Sequence, residues 1–105
     1  MKVSLREDVC ASTDYELSVE QDGLVLSNKR ETMNLRYRDM DRFWFRHFGS
    51  TAVAFVIEMS GMVYEGDFLK PGDAKDFTAQ LNQKIGDSID VIFNMNQRKD
   101  QRFVL

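Results

Sequence analysis

The feature that most constrains this chain is a change of period at Lys70-Pro71-Gly72-Asp73. Before it, apolar residues recur at every second position; after it, they recur at every third or fourth. A period of two marks a strand with one wet face, and a period near 3.6 marks a helix with one dry face. The chain is therefore expected to build its sheet first and its helix last. Tyr15, Leu17 and Val19 alternate with Glu16, Ser18 and Glu20. Gln21-Asp22-Gly23 then turns the chain, with the glycine expected at positive φ. Leu24-Val25-Leu26 returns, Ser27-Asn28-Lys29-Arg30-Glu31 turns again, and Met33, Leu35 and Tyr37 form a third alternating run. Asp39-Met40-Asp41 breaks the rhythm as a bulge or corner, because aspartate is poor in strands. Phe43 and Phe45 alternate with Arg42, Trp44 and Arg46, and Gly49-Ser50 turns the chain into Val53, Phe55, Ile57 and Met59. That run is apolar on both faces and is expected to lie inside the sheet rather than at its rim. Ser60-Gly61 and the run Met62, Tyr64, Phe68 complete an antiparallel meander.

Pro71 removes a ladder donor and stops the last strand. Asp73 suits an N-cap, Asp76 adds an acid to the first turn, and Ala74, Phe77, Thr78, Leu81 and Ile85 form one stripe. Gly86 suits the helix end. Burying Phe77, Leu81 and Ile85 stabilises the helix by about 5–8 kcal/mol, an upper bound against an extended reference. Beyond it, Ile89, Val91 and Phe93 read as a further strand, and Phe103-Val104-Leu105 is an apolar segment seldom left in water. At 105 residues the chain reads as one α+β domain. Its core is expected over 14–86, with 87–105 as a strand-like extension.

Three stretches carry a family resemblance. They are Gln21-Asp22-Gly23-Leu24-Val25-Leu26-Ser27-Asn28, the segment Leu35-Arg36-Tyr37-Arg38-Asp39-Met40 leading into Phe43, and the helix 73–85 after the last meander strand. Together they resemble the bacterial form of the pleckstrin-homology (PH) superfold. The resemblance implies a bent PH-like barrel or roll whose open end is closed by the C-terminal amphipathic helix. Lipid-binding members of that family carry basic residues in an early hairpin loop. Here Glu7 to Asp14 and Gln21-Asp22-Gly23 have none, so phosphoinositide binding is not carried over.

Net charge is −3, which disfavours nucleic acid and anionic membrane surfaces as general partners. The exception is residues 29–48, with six basic and three acidic side chains. Arg36, Arg38, Arg42 and Arg46, with Trp44 between the last two, form a candidate patch for an anionic ligand, lipid headgroup or nucleic acid. The competing reading is a solvated face paired to Glu16, Glu20, Glu58 and Glu65. Trp44 between arginines is the kind of residue that anchors interfaces. His47 is the lone histidine and Cys10 the lone cysteine. No flanking signature joins them as base and nucleophile, and one histidine excludes multi-histidine metal sites. Asp39 with Asp41, and Glu65 with Asp67, are carboxylate pairs at i, i+2 with no further signature around them. Six scattered glycines form no phosphate loop.

No catalytic, cofactor or metal motif stands out, so the expected function is non-enzymatic. The chain reads as a protein-interaction or assembly module, self-associating through strand edges and the C-terminal extension, with Trp44, Arg36, Arg38, Arg42, Arg46, Phe93 and Phe103 as candidate contacts. The partner is expected to be another protein or a second copy of the chain. Electrostatic binding by the Arg36–Arg46 face is the alternative. The stretch Phe48 to Ile57 is about half of the roughly 20 apolar residues a membrane span needs, so no span is expected. With no secretory layout at residue 1 and a lone cysteine, a cytoplasmic location is expected.

Overall fold

The chain's architecture was taken from a computed structural model, which describes residues 1–8 and 11–85, the last of these in its backbone alone. Expectations on Cys10, the Ile85 side chain, Gly86, Phe93, Phe103 and the extension 87–105 lie outside the described residues.

Among the described residues the chain forms β1 (Lys2–Glu7), β2 (Thr13–Val19), β3 (Gly23–Ser27), β4 (Thr32–Arg36), a 3-10 turn (Tyr37–Asp39), β5 (Arg42–Phe48), β6 (Thr51–Met59), β7 (Met62–Phe68) and α1 (Asp73–Ile85). The strands make one antiparallel sheet in the order β4-β3-β2-β1-β7-β6-β5. The fold of the described residues is thus α+β, as expected, with the sheet before the helix.

Three details depart from the sequence reading. First, β1 sits in the middle of the sheet, pairing Val3 with Tyr15 on one side and Phe68 on the other. The sheet therefore begins at residue 2 rather than 14, and joins two meanders, β1 to β4 and β5 to β7. Asp8 extends this junction: its N–H donates to Val63 O at 2.7 Å and its Oδ1 accepts from Val63 N at 2.8 Å. Second, among the described residues the expected meander is not continuous and the sheet does not close. The chain turns at Tyr37–Asp39, where aspartates were expected to make a corner, and β4 and β5 end the sheet on opposite sides among the described residues.

Third, two turn residues act differently from expectation. Gly23 serves close approach: a Cβ there would overlap the Leu35 carbonyl across the β3–β4 ladder. Positive φ falls instead at Gly49 (65°), at Gly72 (93°) and at Ser60-Gly61 (53° and 77°), the last pair forming the two-residue turn between Met59 and Met62. Asp73 is not the cap. Asp76 N donates to Gly72 O, so Gly72 holds the cap position and Asp73 joins Asp76 in the first turn. Both acids still favour the positive end of the helix.

Val3, Leu5, Tyr15, Leu17, Val19, Leu24, Leu26, Leu35, Phe43, Phe55 and Ile57 cover one face of the sheet as a single buried cluster. Helix α1 lies on that face, touching β2 toward one end of the strand order and β6 toward the other. Its stripe Ala74, Phe77, Thr78 and Leu81 is buried. Phe77 is fully buried among Phe43, Phe45, Phe55 and Phe68, with ring centroids 5.3–6.1 Å apart. β6 is internal, between β5 and β7, as its two apolar faces required.

Candidate interaction surface

The outer face of the sheet carries the charges. Strand alternation puts Arg42, Trp44 and Arg46 in one row of β5. Across the ladder, Arg42 faces Glu58, Trp44 faces Val56 and Arg46 faces Ala54, and β7 sets Glu65 beside Val56 and Asp67 beside Ala54. Alanine and valine leave low ground on β6. Arg46 crosses it to reach β7, donating from Nε to Glu65 Oε2 at 2.6 Å and from Nη2 to Asp67 Oδ1 at 2.7 Å. Arg6 joins Glu65 from β1 at 3.0 Å, and Arg42 pairs with Glu58 at 3.6 Å. The Arg46 guanidinium is held protonated even more firmly than usual, chiefly by its hydrogen bond to Glu65. Ala54 and Val56 are buried on this outward face.

Trp44 is 36% exposed, with the Arg42 guanidinium 4.7 Å from its ring centroid. Phe48, at the end of β5, is 81% exposed. It is the most exposed large apolar side chain among the described residues, and the sequence reading did not single it out. Alternation alone would carry the row of Arg42, Trp44 and Arg46 on to it, but its observed pairing with Thr51 puts it on the other face. A register shift at Arg46/His47 bends the strand just before it.

The expected basic patch does not form one continuous row. Arg36 ends β4, Arg38 sits in the 3-10 turn, and Arg42 and Arg46 lie on β5, at the other end of the strand order. Arg36 faces Gly23 beside the turn that holds Glu20 and Asp22. Burial, and after it the charges of Glu20 and Asp22, raise the affinity of the Tyr37 phenol for its proton. Tyr37 also donates from its hydroxyl to Glu20 O at 2.7 Å, tying the 3-10 turn to the β2–β3 turn.

The remaining candidates are scattered. His47 is exposed on β5, and Asp39 and Asp41 are exposed at the corner. Glu65 and Asp67 do share a face, as their spacing required, and share the arginine between them. Among the described residues no group of three or more histidine, cysteine, aspartate or glutamate side chains is placed to hold a metal ion. No helix among them is long and apolar enough to cross a membrane.

Compared with known proteins, the chain matches no protein-family model and no curated protein.

Proposed function

We propose that the chain is a non-enzymatic protein-interaction or assembly module that associates with a second copy of itself through the edges of its sheet. One observation carries this reading: β4 and β5 end the sheet separately among the described residues instead of pairing with each other. A strand end of this kind presents a row of donors and acceptors to another chain. Trp44 and Phe48 supply apolar contact beside β5 in this proposal.

A PH-like scaffold belongs to the proposal too. The antiparallel strands followed by one amphipathic helix, with Phe77 seated in the apolar face, support it, and a bent barrel plugged by α1 is its full form.

Binding of an anionic ligand by Arg36, Arg38, Arg42 and Arg46 is less supported. Arg42 and Arg46 already spend their charge on Glu58, Glu65 and Asp67.

Light scattering on the full chain, taken over a wide concentration series, tests the main reading. A mass rising from that of one chain to two is expected; a single-chain mass throughout removes it.

A further inference from the structure

Building on the self-association reading, we propose that the edge used is β4, and that two copies pair there antiparallel about a two-fold axis through Asn34. The phase of the β3–β4 ladder fixes which groups face outward. Asn28 N donates to Glu31 O at one end and Tyr37 N to Asp22 O at the other. In an antiparallel ladder the bonded pairs alternate, so Met33 and Leu35 spend their N–H and C=O groups on β3. Thr32, Asn34 and Arg36 point theirs away from the sheet.

Among the described residues this edge is lightly guarded. Edge strands are commonly protected by proline, charged side chains, a bulge or an inward-facing charge, and β4 carries one of these, Arg36 at its end. Thr32–Arg36 reads TMNLR, its register with β3 is unbroken, and its inward residues are Met33 and Leu35. Leu35 is buried, while Met33 remains half-buried at the rim of the core.

At full overlap a second copy pairs with this edge in one register. Full overlap of a five-residue strand with its own antiparallel copy sets Thr32 opposite Arg36 and Asn34 opposite Asn34, with Met33 opposite Leu35. These positions satisfy three demands together. The outward-pointing residues become the bonded pairs, each exchanging two backbone hydrogen bonds. The inward residues make two apolar Met–Leu contacts that continue the core face. No like charges oppose one another within the strand, and the two Asn34 amides meet as donor and acceptor. Arg30 and Arg38 fall beyond the strand ends, in turns.

The test uses the full chain with Cys10→Ser, so that an introduced cysteine is the only thiol. Asn34→Cys is expected to give covalent dimer with a short bis-maleimide, because opposed residues in a bonded pair stand about 5.5 Å apart at Cα. A cysteine at the exposed Ser50 should not. Asn34→Lys sets two ammonium groups face to face and should give a single-chain mass by light scattering. Asn34→Pro removes only an outward N–H, which an edge strand tolerates, and should also be a folded monomer by circular dichroism. Dimer that persists in both variants, with no cross-link at position 34, overturns the β4 pairing while leaving self-association in place. A parent chain that is monomeric at every concentration overturns both.

Discussion

Arg46 reaches Glu65 across an intervening strand: its Nε donates to Oε2 at 2.6 Å over the alanine and valine of β6. The guanidinium fork then takes Asp67 with its other arm. This one side chain ties β5 to β7. Arg46→Lys keeps the charge but cannot hold two carboxylates in the same planar geometry. Both ends are partly open to solvent, so the loss is modest, on the order of 1 kcal/mol. Urea denaturation of the two proteins should show a small midpoint shift that shrinks at high salt. A shift that is independent of salt would assign the effect to packing.

Gly66 lies opposite Phe55 in the β6–β7 ladder, and a Cβ there would overlap the Phe55 ring. Gly66→Ala forces the ring out of a tight aromatic cluster and should cost about 1–3 kcal/mol. Phe55→Leu in the same chain should restore part of that loss. Additive losses in the double variant would mean that the two residues do not compete for the same space.

Phe77 anchors α1 to the sheet. Phe77→Ala should cost about 3–5 kcal/mol, a large share of the roughly 5–15 kcal/mol that holds an ordinary domain together. Phe77→Asp should detach the helix, read as lost helical signal at temperatures where the parent chain is folded.

All three tyrosines resist ionisation. Tyr15 donates to Glu31 Oε2 at 2.6 Å, and that bond, then burial, pushes its phenol up from 10.0 to about 12. Tyr37 and Tyr64 are raised chiefly by burial. A phenol whose folded value lies above its unfolded value contributes stability that is complete below the unfolded value and is lost as pH rises through the folded one. The denaturation midpoint should therefore fall as pH rises from 10 toward 12. Tyr15→Phe should flatten part of that slope. An alkaline slope identical in parent and variant would contradict the role given to the Glu31 bond.

What the sequence disclosed follows physical range. Periodicity is local, so β2 to β7 and the Ala74–Leu81 stripe could be read directly. β1 could not: only Val3 and Leu5 alternate there, among Lys2, Arg6 and Glu7, and its central place depends on pairing with Phe68, far along the chain. Gly23 follows a turn in sequence, which suggested positive φ, but its role depends on the Leu35 carbonyl across the ladder. Pairing of the basic residues with Glu58 and Glu65 was legible as the solvated-face reading and is what Arg42 and Arg46 do. Which arginine takes which acid, and the second arm on Asp67, were hidden, because spacing along β5 says nothing about a strand two places away. Trp44 between arginines was legible, while its stacking under Arg42 and the exposed Phe48 beyond it emerged only with the register.

The most direct test of the account is amide hydrogen exchange at Asn34 as a function of protein concentration. Its outward N–H should exchange freely in dilute solution and become protected as copies pair, while the Met33 amide, bonded to β3, stays protected throughout. An Asn34 amide equally exposed at every concentration, in a chain that remains folded, would contradict the pairing of copies through this edge.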